Sequence, residues 1–341
     1  MVGYSLQAVT RHRALVMGCI ILAAFLLGCS ALPAAGPQPS TPVPLHLRAI
    51  AGADRAVHLA IDPADRGSNH VAVWLTNNQN QVITTVSSVE VRWSMLEQPT
   101  VLPAAQPVRQ ANGYWTLAHV PLDSPGWWEV DLQFELPGQS PADAQFFLVI
   151  PEPTQVRPPP DHPADQQALA VFQAALARIE QLTSMQAEEQ LTDGIGDALD
   201  THFAYAAPDK STATTSSHYR SVSIGDVRYD REPGGEWTRS QRVNAFAFPA
   251  DFPTYYTKAT GQTLGIQEEL DGERCQIITF HTLASRLWYA WWVGTGTHLL
   301  RQEAMVADHH YMITHFTDFD QPVQITAPAV AAAESSPVQQ P

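Results

Sequence analysis

The chain has 341 residues and carries 19 Lys and Arg against 34 Asp and Glu, a formal net charge of −15. A surface this acidic has no electrostatic footprint for nucleic acid or for anionic lipid headgroups, which argues against both as partners. Only 16% of the residues are charged, well under the usual ~25%, and the Thr, Ser and Gln that fill the surface instead suit secreted β domains better than helical bundles.

The N-terminus reads as a secretory signal over residues 1–28. Arg11 and Arg13 precede the apolar run Ala14 to Phe25, which is too short for a comfortable membrane span. Leu26-Leu27-Gly28-Cys29 follows. This ending resembles the bacterial lipobox, and the resemblance implies that Cys29 is acylated with palmitate-type chains and becomes the first mature residue. The protein is then extracytoplasmic and lipid-anchored to the bacterial cell membrane. Loss of Arg11 and Arg13 with the signal takes the net charge from −15 to −17, so the acyl anchor has to supply the membrane binding. Several chains hold stably where one would not. Of the three cysteines, Cys19 leaves with the signal and Cys29 is the lipidation site, so Cys275 is left without an intramolecular disulfide partner. Its apolar setting, Cys275 to Phe280, predicts a buried thiol.

Residues 29–44, rich in Pro, Ala, Ser and Thr, are expected to be a tether. Residues 45–152 read as β throughout. His70 to Leu75 alternates and is followed by the turn Asn77 to Asn80. Val89, Val91 and Trp93 share one face of the next strand, with Glu90 and Arg92 on the other. Gly113 to Leu117, Gly126 to Phe134 and Ala144 to Ile150 complete a predicted β-sandwich. The order Val91-Arg92-Trp93-Ser94-Met95, Gly113-Tyr114-Trp115 and Pro125-Gly126-Trp127-Trp128 is similar to YtkA-like domains, immunoglobulin-like modules associated with copper-resistance proteins. Members often carry a Met-rich stretch after the strand that holds Met95. Here that stretch, Met95 to Pro99, has a single Met.

Residues 153–164 are Pro-rich and read as a semi-rigid linker. Residues 165–327 open with a helix, since Ala168, Leu169, Phe172, Leu176, Ile179 and Leu182 recur at spacings of three or four. Asp165 is expected to be an early-turn or capping carboxylate. Strands are predicted next, over Glu188 to Gly194, Leu199 to Tyr205, Ser223 to Tyr229 and Gly235 to Arg239, with Pro208 to Ser217 as a polar loop. An aromatic loop holds Phe246, Phe248, Tyr255 and Tyr256. Three long strands follow, over Arg274 to His281, Leu287 to Val293, and His298 through Phe316. The helix ending Leu182-Thr183-Ser184-Met185, the edge Tyr205 to Asp209, Val227-Arg228-Tyr229, Glu236-Trp237, Trp291-Trp292-Val293-Gly294 and the closing Phe316 to Phe319 resemble the LolA and LppX type of lipoprotein-carrier domain. The fold class that results is mainly β: an immunoglobulin-like sandwich followed by an α+β half-barrel, a curved antiparallel sheet with a helix. The resemblance implies that an acyl chain or other hydrophobe lies between sheet and helix. Residues 328–341 read as a low-complexity tail.

For catalysis the chain offers no Gly-x-Ser-x-Gly elbow, His-Glu-x-x-His helix or phosphate loop, and the reading is non-enzymatic. Met305, His309, His310, Met312 and His315 lie within eleven residues and carry copper-ligand chemistry. On one continuous strand Met305, His309 and His315 would share a face, and His309 and His315 would stand ~20 Å apart. A copper site would then need His281 or His298 from a neighbouring strand. The residues Leu287 to Val293 are bulky on both faces, which means burial between two layers or one face on a cavity. Trp237, Phe246, Phe248, Tyr255, Tyr256, Trp288 and Trp292 are the candidate cavity residues. Three functions stay open: a carrier of lipid or another hydrophobe, a copper-handling accessory protein, and a sensor or scaffold that binds an envelope protein.

Overall fold

The structure is a computed structural model, and it describes residues 44–330 apart from 53, 104, 152–162, 243–245, 283–285 and 308. The signal, Cys29, the tether, nearly all of the Pro-rich linker and the tail beyond 330 lie outside the described residues. No helix among the described residues is long and apolar enough to cross a membrane.

Alternation sets the first sheet pair. Strands β1 (Leu45–Ile50), β2 (Arg55–Asp62), β3 (Gly67–Asn77), β5 (Val108–Arg109) and β6 (Trp115–Leu122) form one sheet in the order β1-β2-β3-β6-β5. Strands β4 (Ser88–Met95), β7 (Gly126–Glu135) and β8 (Ala142–Ile150) form a second, in the order β4-β7-β8. In β4 the buried Val89, Val91 and Trp93 alternate with exposed Glu90 and Arg92, the pattern of a sheet with one face on a core. Val91 pairs with Leu132 and Trp93 with Val130, so apolar side chains of neighbouring strands share the inner face.

Helix α1 (Gln166–Ile179) begins where Asp165 accepts from the backbone N–H groups of Gln167 (2.7 Å) and Ala168 (3.1 Å). This cap satisfies two of the helix's orphan donors. Ala168, Phe172, Ala175 and Ile179 form its buried stripe.

The remaining strands build one eleven-stranded antiparallel sheet. They are β9 (Ser184–Thr192), β10 (Ala198–Ala206), β11 (Lys210–Thr215), β12 (Arg220–Ile224), β13 (Val227–Arg231), β14 (Thr238–Gln241), β15 (Ala259–Leu270), β16 (Glu273–Thr282), β17 (Leu287–Gly294), β18 (Leu300–Ala307) and β19 (His310–Thr317). Their order is β14-β13-β12-β11-β10-β9-β19-β18-β17-β16-β15. The sheet therefore has two wings, β9–β14 and β15–β19, joined where β9 pairs with β19. Since β14 and β15 are opposite edges, residues 242–258 must pass from one edge to the other. A short 3-10 helix, Phe252–Tyr256, lies in this crossing.

Several expectations are corrected here. The polar stretch expected as a loop contains strand β11, every residue of which is half-buried. With neither face sealed, it has no apolar alternation to reveal it. Ser223 to Tyr229 is two strands, because Gly225 turns the chain at φ +58°. Strand β15 was not anticipated. His298 through Phe316 is a hairpin of β18 and β19, with His309 in the left-handed region at φ +53°. Histidine is among the non-glycine residues that tolerate this conformation.

The double-sided strand β17 lies between two apolar layers. Trp288, Ala290 and Trp292 join Cys275, Ile277, Ala304, Val306 and Tyr311 in the core that continues through the sandwich. The Phe147 ring meets Trp292 edge-on at 5.0 Å. Tyr289, Trp291 and Val293 face the other way, into the core formed with α1. Polar bonds reinforce the seam between sandwich and large sheet. Ile266 N–H donates to the Leu96 carbonyl (2.8 Å), His46 N–H to the Gly194 carbonyl (2.9 Å) and the Thr279 hydroxyl to the Glu97 carboxylate (2.8 Å). The approach is close enough to demand glycine at position 265, where a Cβ would lie 2.4 Å from the Leu96 oxygen.

Candidate functional site: the concave face of the large sheet

The face of the large sheet turned away from the sandwich is concave in its chemistry as well as its position, because its two wings are covered differently. Over β15–β19 it is filled. Helix α1 lies across β15 and β16. Phe172 stacks on Trp291 at 5.1 Å and meets Phe280 edge-on at 5.0 Å. Tyr256, from the crossing segment, meets Trp291 edge-on at 4.7 Å. At the bottom of this cluster Glu303 accepts from the Tyr256 hydroxyl (2.8 Å) and from Trp291 Nε1–H (2.6 Å). Burial pushes the Glu303 carboxyl up to about 7, despite those two hydrogen bonds. Thr314 is the register partner of both Glu303 and Glu189, so these carboxyls share this face two strands apart. Burial also pushes Glu189 up to about 7, and the charge of Glu303 adds to the effect.

The wing β10–β14 is covered differently. Register carries the same face outward from Phe316 and Ala187 to Phe203, Ala213, Ser221, Asp230 and Thr238. Its residues are mostly half-buried. The result is a half-buried surface, here termed the trough, that is polar at the outer strands and aromatic toward the filled wing. Tyr205 stands at the join. Its ring lies 5.9 Å from Phe203, 5.5 Å from Phe248 and 6.1 Å from Phe246, and Phe246 is 6.2 Å from Tyr255. Tyr255 is 56% exposed, so this row of rings runs from core to solvent along the trough.

The outer strands carry a second cluster. Arg228 donates from Nε to Asp230 (2.7 Å) and from Nη2 to the Tyr219 hydroxyl oxygen (2.8 Å). The Tyr219 hydroxyl in turn donates to Asp230. Burial, aided by the Asp230 hydrogen bond, pushes the Tyr219 hydroxyl up to about 12. Arg242, just beyond β14, is held below the ordinary guanidinium value by burial and by the nearby charge of Arg228.

The expected cavity residues divide among these surroundings. Phe246, Phe248, Tyr255 and Tyr256 lie on the concave side, with Phe248 and Tyr256 buried in the filled part. Trp288 and Trp292 lie on the opposite face under the sandwich, where Trp292 Nε1–H donates to Glu268 (2.9 Å). Trp237 packs against the Arg231 guanidinium at 5.2 Å, and Arg231 follows Asp230 on β13, so it belongs to the outer face. Phe203, Tyr205, Arg228 and Arg242 were not singled out from sequence. Tyr205 and Arg228 stood inside quoted motifs, but nothing local marked the face they share.

The copper-ligand candidates also divide. The hairpin makes Met305 and Met312 direct partners, with His310 two residues along β19 on their face. His315 pairs with Gln302 and points to the other face. The turn falls between Ala307 and His310, so His309 and His315 stay on one arm of the hairpin and it is Met305 that changes place. His281 pairs with Trp288 on the sandwich side, and His298 is exposed in a turn. No group of three or more His, Cys, Asp or Glu among the described residues is placed to hold a metal.

No family model matches the chain, and no curated protein matches it. Solved structures do resemble about half of it. LprF from Mycobacterium bovis covers 49% of this chain and 100% of its own, at 10% identity and a TM-score of 0.39. The lipoprotein LppX from Mycobacterium tuberculosis covers 48% and 100%, at 14% identity and a TM-score of 0.36. A LolA superfamily protein from Nitrosomonas europaea covers 46% and 94%, at 10% identity and a TM-score of 0.24. The fold of this chain is mainly β, with an open antiparallel sheet and one long helix in its second part.

Proposed function

We propose that this chain is an extracytoplasmic lipoprotein, anchored to the bacterial membrane through Cys29, that holds a lipid or acyl chain without catalysing a reaction. The ligand lies in the trough over β10–β14, with its apolar part against the Phe203, Tyr205, Phe246 and Tyr255 rings. One observation carries this reading: a row of aromatic side chains, Phe203 and Tyr205 on β10 with Phe246 and Tyr255 of the crossing segment, leads from the core to an exposed ring. An apolar surface rimmed by polar side chains is a common form of ligand site. In the same proposal the sandwich is a YtkA-like module, a rigid support that buries the back of the sheet, and an envelope protein is its possible partner. Native mass spectrometry of the full chain purified from a bacterial membrane tests the ligand. The expected result is a co-bound lipid. Ligand-free protein that also takes up no added oleate would contradict it.

A second reading, copper handling, has one observation in its favour: Met305 and Met312 are cross-strand partners with His310 on the same face, and thioether and imidazole are copper ligands. Titration with Cu(I) checks it. Binding that is unchanged in the Met305→Leu, Met312→Leu double variant would remove this reading.

A further inference from the structure

The trough ends in a cluster of charge that an apolar ligand alone does not need. Arg228 and Asp230 form a tight pair on strand β13, with side chains 15% and 28% exposed. Tyr219, immediately before β12, closes the group by donating to Asp230 and accepting from Arg228. Both contacts fall on one Asp230 oxygen, Oδ1, and one guanidinium already balances the charge of the carboxylate. Arg242 is a second guanidinium on the same side: its alternate neighbour Ser240 pairs with Arg228, and it lies within electrostatic reach of Arg228, Asp230 and the Tyr255 hydroxyl. Two arginines against one carboxylate leave the cluster with a net charge of about +1, in a chain whose net charge is −15. Asp230 offsets only one of these two like charges, so a further anion would relieve their repulsion. Tyr255 belongs both to this group and to the aromatic row, since its ring lies 6.2 Å from Phe246.

Resting on the hydrophobe reading above, we infer that the trough takes an anionic amphiphile, its chain along the Phe203, Tyr205 and Phe246 rings and its singly charged head, a carboxylate or a phosphodiester, on Arg242 beside Arg228. A guanidinium offers such oxygens a two-pronged contact. The half-buried setting reduces solvent screening, and the rest of the acidic surface repels anions that lack a chain to hold them.

The test is isothermal titration of the full chain, below the critical micelle concentration, with four probes: oleate, lysophosphatidylglycerol, lysophosphatidylcholine and monooleoylglycerol. The two anions should bind about tenfold more tightly than the two probes without net charge. Arg242→Gln should bring the anions to the level of the uncharged probes and leave those unaffected, while Arg242→Lys should restore part of the difference. The first two probes separate a carboxylate from a phosphodiester head. Equal affinity for charged and uncharged probes, unchanged by Arg242→Gln, would overturn the anionic head and leave the hydrophobe reading intact. No binding of any probe would overturn both.

Discussion

The two wings of the large sheet share one backbone architecture but differ in what covers their concave face. In the wing β15–β19 the central strand β17 is apolar on both sides, and each face has a layer to receive it: the sandwich on one side, α1 and the crossing segment on the other. Over β10–β14 the strands are rich in Ser and Thr, as in Lys210–Thr215. β-branched threonine satisfies a pleated sheet without requiring a second layer. Coverage follows composition, and the trough lies where apolar side chains outnumber the layers available to bury them. Phe203 and Tyr205 are the residues left at that boundary.

The comparison breaks most visibly through Phe172, which links α1 to both Phe280 and Trp291. Phe172→Ala should cost about 3–5 kcal/mol, the usual range for a buried aromatic, read as a lower denaturation midpoint at unchanged slope. A small loss would mean that the filled wing is looser than its ring contacts indicate. The buried carboxyls supply the next effect. Glu303 and Glu189 have folded values near 7 against an ordinary 4.5, so each favours folding in its protonated form. Their contribution is complete below about pH 4.5 and is lost as the pH rises through 7. Thermal midpoints should therefore fall by several degrees between pH 6 and 8. Glu303→Gln keeps an oxygen for Tyr256 and Trp291 and should flatten that fall.

Gly265→Ala probes the sandwich seam. Its Cβ would meet the Leu96 carbonyl at 2.4 Å, and relieving such a contact should cost about 1–3 kcal/mol. The smallest expected effect on stability is in the open wing. Phe203→Ser should change stability by about 1 kcal/mol or less, as a half-exposed position does, while weakening oleate binding at least tenfold. If its stability cost matched that of Phe172→Ala, the distinction between the wings would fail.

What was legible in the sequence follows the same division. Helix α1 and its Asp165 cap were readable because one apolar stripe and one capping carboxylate are local signals. Strand β4 and the second half of β7 were readable because one face of each is buried. Strand β15 was not: bulges between Thr260 and Thr263 and between Leu264 and Gln267 break the period of two on which strand recognition depends. The turn between β18 and β19 carries no glycine, so two strands read as one and the copper-ligand geometry was misjudged. Trp288 and Trp292 were expected to line a cavity. Burial between two layers was the alternative, and which layer would bury them depended on a sandwich more than a hundred residues away in the chain. The trough itself is assembled by register across the five strands β10–β14, and no local pattern encodes that.

Photo-crosslinking with a diazirine-bearing fatty acid, followed by peptide mass spectrometry of the full chain, tests the central claim most directly. The account predicts adducts within residues 198–256, on the floor of the open wing and the crossing segment, that excess oleate suppresses. Adducts concentrated in the sandwich, or spread without preference and insensitive to oleate, would contradict it.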